Sequence, residues 1–304
     1  MRVFLTGATG FLGAALAQEL GARGHDCIAM ARRGGDASRL APATTIVEGD
    51  LFDIEGCRAL MAQWRPQALI HCGWRGVEGA ARNEMAQLDN IAASAALAEA
   101  ALAQGARILI GVGTQAEYGA RSGAFDENDF PAPQTLYGVA KLAVSGAFAA
   151  LGRQYDARVV WGRVFSLYGP GQSESWLVAS LIGAMMRGEA PALTPCEQIW
   201  EFTHVRDAAR GFVALLETPG AAGLFNVASG ATTPLRDAVL MLRDLVAPGI
   251  EPQFGRIPYR PDQVMRLEAR IERICAATGW APRIDLRDGF AETVAAFAQE
   301  RAAA

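Results

Sequence analysis

No apolar run in this chain reaches the roughly 18 residues that cross a bilayer, because Gly, Gln, Glu or Arg interrupts each one first. A membrane partner is therefore not expected. Positive charge is not in excess either: 28 Lys and Arg stand against 32 Asp and Glu, a formal net charge of −4. A polyanion selects a basic face, so nucleic acid is not an expected partner. A small anionic ligand reads local charge and stays open. The five cysteines (Cys27, Cys57, Cys72, Cys196 and Cys275) are odd in number and never form a Cys-x-x-Cys spacing. That pattern fits reduced thiols buried as small hydrophobes, not disulfides. No His/Cys/Asp/Glu cluster has ligand spacing, so no metal is expected. The chain turns glycine-rich by residue 7, too soon for a signal peptide's apolar core, and a cytoplasmic location is expected.

What is present is an ordinary globular composition, 51% apolar and 20% charged over 304 residues. The first half alternates two hydrophobic periods. Short β-rich runs stand at Arg2–Thr6, Cys27–Ala31, Thr44–Val47, Ala68–His71, Arg107–Gly111 and Arg158–Gly162. Ala- and Leu-rich stretches with helical spacing, such as Phe11–Leu20 and Met85–Ala103, lie between them. This alternation predicts an α/β fold with a doubly wound parallel sheet. Beyond Gly162 the rhythm breaks into turns and prolines, with helical patterns at Trp176–Arg187, Val205–Glu217 and Leu235–Val246. We expect residues 1–165 to form a nucleotide-binding Rossmann domain. Residues 166–304 would form a smaller mixed lobe, with some segments returning to the first domain.

Thr6-Gly-Ala-Thr-Gly-Phe-Leu-Gly13 places Gly7, Gly10 and Gly13 directly after a strand and at the opening of a helix. Bare backbone lets a pyrophosphate approach, and the helix start offers unpaired N–H groups with partial positive charge. With Phe11 and Leu12 these residues are the expected cofactor cradle. The strand that follows, Cys27–Ala31, ends without the acid that takes the ribose hydroxyls of NAD and runs into Arg32-Arg33. Two guanidiniums there suit a 2′-phosphate, or are two solvated loop arginines. The expectation is NADP(H), with NAD(H) as the alternative.

Tyr137-Gly-Val-Ala-Lys141 follows Thr135, a candidate helix N-cap. Four residues apart on a helix means one face, which would bring the Lys141 ammonium under the Tyr137 phenol. A free tyrosine titrates near 10. A neighbouring cation, the helix start and an oxidised nicotinamide would each favour the phenolate, making Tyr137 a competent acid/base for hydride chemistry at a carbinol or ketone. Thr114, in Gly111-Val-Gly-Thr-Gln-Ala-Glu-Tyr-Gly119, could hydrogen-bond the same oxygen.

Further segments carry a resemblance. Asp50-Leu51, Asn90, Arg163-Val-Phe-Ser-Leu-Tyr-Gly-Pro-Gly171, Phe202-Thr-His-Val-Arg-Asp207 and Gly279-Trp-Ala-Pro282 appear in this order with the glycine turn and the Tyr/Lys pair. Together they resemble the extended short-chain dehydrogenase/reductase family of nucleotide-sugar epimerases, dehydratases and ketoreductases. The resemblance implies Asp50, Leu51 and Asn90 on the cofactor and a nucleotide-activated sugar as substrate. It also implies Ser166 and Arg260 on the substrate side, and a homodimer joined through the Met85–Ala103 and Leu136–Ala150 helices. Trp74, after the fourth strand at the ligand edge, would wall the sugar pocket or simply pack, and Trp200 would stack on the substrate or fill the lobe core. The family's dehydratases carry Asp-Glu directly after the catalytic Thr, where Gln115 and Ala116 stand here, so dehydration is not expected. A family arginine of the diphosphate clamp is replaced by Trp200. With Arg32-Arg33 read for NADPH, the expected reaction is reduction of an NDP-4-keto-6-deoxyhexose. A 4-epimerase, or a sensor that keeps the fold without the chemistry, are the alternatives.

Overall fold

The computed structural model describes every residue except Asp262 and Ala304. In chain order the first half contains β1 (Arg2–Thr6), α1 (Phe11–Ala22), β2 (Asp26–Ala31), β3 (Thr45–Glu48), α2 (Ile54–Trp64) and β4 (Ala68–His71). There follow α3 (Gln87–Ala103), β5 (Ile108–Thr114), β6 (Gly123–Phe125), α4 (Leu136–Gln154) and β7 (Arg158–Val164). The second half adds β8 (Leu167–Tyr168), α5 (Leu177–Met186), β9 (Ile199–Glu201), β10 (Thr203–His204), α6 (Val205–Glu217) and β11 (Gly223–Val227). It closes with β12 (Thr232–Pro234), α7 (Leu235–Val246), β13 (Leu267–Ala269), α8 (Glu272–Thr278) and α9 (Leu286–Ala303).

Seven strands form one parallel sheet in the order β11-β7-β5-β4-β1-β2-β3. β1 and β4 are adjacent although α1, β2, β3 and α2 lie between them in the chain, so the order reverses between them. That reversal opens a crevice at the strands' carboxyl ends. Helices cover both faces, which is why β1, β2 and β4 read as unbroken apolar runs. Leu12, Leu16 and Leu20 of α1 join Phe212 and Leu215 of α6 on one face. Met61, Leu97, Val144 and Phe148 from α2, α3 and α4 cover the other with Trp161. Tyr168, Leu181, Phe202, Leu242 and Phe290 make a separate core in the second half. Among the described residues no helix is long and apolar enough to cross a membrane.

The fold class read from the sequence holds, while α2, α8, α9 and the short strands β6 and β8–β13 lie outside that reading; three of them show why. α2 buries only Cys57 and Met61, too thin a stripe to register as a period. β11 leaves the second half to pair with β7 and completes the sheet edge. The proline-rich stretch 251–273 contains β13, whose Leu267 and Ala269 are buried against β6. Its alternation spans three residues, too few to show in the sequence.

Candidate active site

The crevice is lined first by the glycine turn. Gly7 has φ +69°, and a Cβ there would fall 2.6 Å from the Gly73 nitrogen in the loop after β4. A Cβ on Gly13 would strike the Gly7 carbonyl. Gly10 donates to the Gly7 carbonyl at 3.0 Å and caps α1 without a side chain; no acid stands in that helix's first turn. The opening N–H groups of α1 thus keep their partial positive charge without a side-chain partner, a cradle fit for a dinucleotide diphosphate. Phe11 is half-buried beside it and Leu12 points into the core.

Beneath the turn, Thr6 Oγ1 accepts from the Gly73 N–H at 3.1 Å and pairs with His71 Nδ1 at 2.9 Å, while His71 Nε2 meets Ser94 Oγ at 2.8 Å. Burial, aided by the Lys141 charge, drives the His71 imidazole down to about 3, so it is neutral and structural. Asp50 is exposed past β3 and caps the Phe52 N–H at 3.0 Å, with Leu51 buried beside it. Asn90 is sealed: its amide accepts from the Arg75 N–H at 3.0 Å and donates to the Arg75 carbonyl at 3.1 Å. Arg75 in turn lies 3.6 Å over the Phe52 ring.

Thr114, Tyr137 and Lys141 converge. Thr114 ends β5, and Tyr137 and Lys141 lie on α4, which starts at a Thr135 cap accepting from Gly138 at 3.1 Å. All three side chains are buried. Burial pushes the Tyr137 phenol up to about 12, against the pull of the Arg82 guanidinium and the Thr114 hydroxyl. Burial lowers the Lys141 ammonium to about 8. Its Nζ donates to the Val112 carbonyl at 2.7 Å and lies 3.9 Å over the Trp74 ring, with the Tyr137 ring centre 6.0 Å away. Trp74 stands edge-on to Tyr137 at 6.0 Å and donates from Nε1 to Gln87 Oε1 at 2.8 Å. Trp74 thus packs against both Tyr137 and Lys141.

Of the other substrate-side candidates, Ser166 and Trp200 meet each other, with Trp200 Nε1 donating to Ser166 Oγ at 2.8 Å. Trp200 is half-buried and packs against two apolar clusters. Arg260 is exposed in an irregular segment, and its side chain forms no ion pair with another described residue. Two residues without a sequence signal shape the site. Glu117, fully buried, accepts from the Thr114 N–H at 2.9 Å, from Trp161 Nε1 at 3.0 Å and from Arg163 Nε at 2.8 Å. Arg82 lies over the Tyr137 ring. Glu117 lies in the Thr114 segment with nothing to mark it there, and Arg82 stands in no motif.

The family model for the NAD dependent epimerase/dehydratase family matches residues 3–228. A UDP-glucose 4-epimerase of Mycolicibacterium smegmatis is 26% identical over 314 residues, covering 98% of each chain. A dTDP-glucose 4,6-dehydratase of Streptomyces griseus is 28% identical over 327 residues, covering 98% of this chain and 94% of its own. The solved structure of MoeE5 with UDP-glucuronic acid and NAD is 26% identical, covers 99% of this chain and all of its own, and has a TM-score of 0.85. Other structures of this fold also hold NAD. These findings overturn two expectations. An NADPH-dependent 4-ketoreductase gives way, since the relatives are epimerases and dehydratases, and NADP(H) gives way to NAD. Arg32 and Arg33 are both exposed and pair with no carboxylate among the described residues, which suits solvated loop arginines as well as a phosphate and so does not require NADP.

Proposed function

The chain belongs to the NAD-dependent epimerase/dehydratase family, and from that premise we propose that it inverts the C4 hydroxyl of a UDP-activated hexose, using NAD. It is an oxidoreductase/epimerase of the extended short-chain dehydrogenase/reductase type. The observation that carries the proposed reaction is the Thr114 segment. Elimination of water from C5 and C6 would need an acid/base pair beside the ketone, and Gln115 and Ala116 offer none. Glu117, the carboxyl group of that segment, is fully buried and committed to Thr114, Trp161 and Arg163. Hydride chemistry alone is left to Thr114, Tyr137 and Lys141.

Gly7, Gly10, Phe11, Leu12 and Gly13 would hold the cofactor diphosphate. Asp50 and Leu51 would border its adenine side, and Tyr137 and Lys141 its nicotinamide half. Bound NAD supplies a hydride acceptor that returns what it receives, so none is consumed. Tyr137 takes the proton of the C4 hydroxyl as the ketone forms and gives it back when the ketone is reduced from its other face. The Thr114 hydroxyl fixes the same oxygen. Asn90 acts at one remove, holding Arg75 and with it the loop that carries Trp74. Trp74, Ser166, Trp200 and Arg260 line the side from which the UDP-sugar enters. We place the protein in the cytoplasm as a homodimer joined through α3 and α4, where Leu88 and Val139 are exposed.

The test is incubation with UDP-glucose and, separately, UDP-glucuronic acid, with separation of the products and simultaneous reading of NADH absorbance. The expected result is equilibration with the C4 epimer and no accumulating NADH. A dehydrated product, or NADH formed in proportion to sugar consumed, rejects the assignment. Fluorescence titration should show NAD bound more tightly than NADP, and the reverse order rejects the cofactor.

A further inference from the structure

We infer that Arg39 is a clasp over the cofactor cradle, closing behind NAD and slowing its release. The inference rests on the reading of the glycine turn as the NAD cradle. Arg39 is half-buried in the segment between β2 and β3. Its Nη2 donates to the Thr9 carbonyl of the glycine turn and its Nη1 to the Gly171 carbonyl, both at 2.9 Å. Gly171 belongs to the turn after β8. In the sheet, β2 stands on one side of the β1–β4 switch point, and β7, which leads into β8, stands on the other. A dinucleotide lies along the carboxyl edge across that point. The guanidinium therefore ties together the two flanks of the crevice.

Both ends of this bridge are fixed. Gln18 Nε2, on α1, donates to the Arg39 carbonyl at 2.9 Å, and Leu40 packs against the core that α1 shares with α6. Asp36 Oδ1 accepts from the Ser38 N–H at 2.9 Å, folding the chain just before Arg39. On the far side Gln172 is buried and donates from Nε2 to the Leu167 carbonyl at 2.6 Å, which holds the turn that offers Gly171. Gly171 has φ +80°, and a Cβ there would strike Arg39 Nη1, so the guanidinium reaches its carbonyl only because no side chain stands in the way. Of the five N–H donors in a guanidinium, the two carbonyls take one each. Among the described residues no carboxylate is within ion-pair distance of Arg39. Its charge stands at Thr9, two residues before α1 begins, and favours the anion that the helix start also favours. Release of NAD requires the bridge to part, whereas removal and return of a hydride do not. Arg39 is thus a positioning residue that governs cofactor exchange.

The test is stopped-flow release of NADH from the loaded protein into excess NAD, without sugar, read as loss of NADH fluorescence. Arg39→Met removes the charge and the bridge together. Gly171→Ala keeps the charge and displaces the guanidinium from its carbonyl. Each variant should release NADH about tenfold faster or more, through loss of charge-assisted hydrogen bonds. Wild-type rates in both variants overturn the inference. Faster release in only one of them overturns it too, because a clasp is lost in both; in Arg39→Met alone it would mean that the charge attracts the cofactor without closing over it. Wild-type protein that binds neither NAD nor NADH rejects the cofactor reading and the clasp with it. Because no sugar is present, failure of the epimerase assay leaves this result standing.

Discussion

Lys141 is held where burial works against its own charge. Its folded-state value near 8 lies below the ordinary 10.5, so the folded protein carries a charge-burial penalty of about 3 kcal/mol at neutral pH. The sign follows from proton counts. Below pH 8 the lysine is charged in both states and the penalty is fully present. Between about pH 8 and 10.5 the unfolded chain holds more protons, so stability from this group rises with pH. Lys141→Met removes the penalty and leaves the Val112 carbonyl unpaired, a loss of about 1–3 kcal/mol. The variant should therefore be no less stable than wild type at neutral pH while losing most of its turnover. A melting temperature clearly below wild type would show that the lysine supports the fold. At this scale the sequence was partly legible. The Tyr137/Lys141 spacing and the glycine turn announced themselves because their chemistry needs fixed offsets along one chain segment. Arg82 did not, since its partner lies 55 positions away and no rule links the two. Arg32 and Arg33 misled, because two guanidiniums after a strand suit a 2′-phosphate without requiring one.

The loop between β4 and α3 is held by one amide. Gln87, buried at the start of α3, accepts from Trp74 Nε1 and donates to the carbonyls of Arg75, Gly76 and Ala81, the closest at 2.6 Å. A leucine fills similar space and offers none of these bonds. Each buried group left unpaired costs about 1–3 kcal/mol. Gln87→Leu should lower the urea midpoint and blue- or red-shift the Trp74 emission, identified by comparison with Trp74→Phe. It should also cut turnover, because Trp74 and Arg82 both ride on this loop. An unchanged midpoint and spectrum would mean that the loop is fixed by other contacts. The sequence offered Gln87 only as part of an amphipathic helix. The same limit explains the elements that escaped it: α2 has two buried side chains, and β11 is recognised as a strand only by its pairing with β7. Long apolar-periodic elements such as α6 and α7 were legible to the residue because half of each must face a core.

Two polar bridges join the nucleotide-binding half to the second half across the site. On one side Arg39, in the segment after β2, donates to the Thr9 carbonyl of the glycine turn and to the Gly171 carbonyl, both at 2.9 Å. On the other, Glu78 accepts from Ser175 Oγ at 2.6 Å and from Trp176 Nε1 at 3.0 Å, linking the loop after β4 to the start of α5. The first bridge rests on backbone carbonyls beside the cofactor cradle and should persist through turnover. The second is exposed and made of side chains, so it is the weaker tie and, on the proposed function, the one beside the sugar-nucleotide entrance. Glu78→Ala removes both bonds without touching Thr114, Tyr137 or Lys141. It should raise KM for the UDP-sugar several-fold and leave NAD affinity unchanged. Where product release limits turnover, kcat should hold or rise. A fall in kcat at constant KM would mean that the bridge orders the catalytic loop in the reacting state. In that case the Glu78 contacts would belong to the catalytic pocket and not to its entrance.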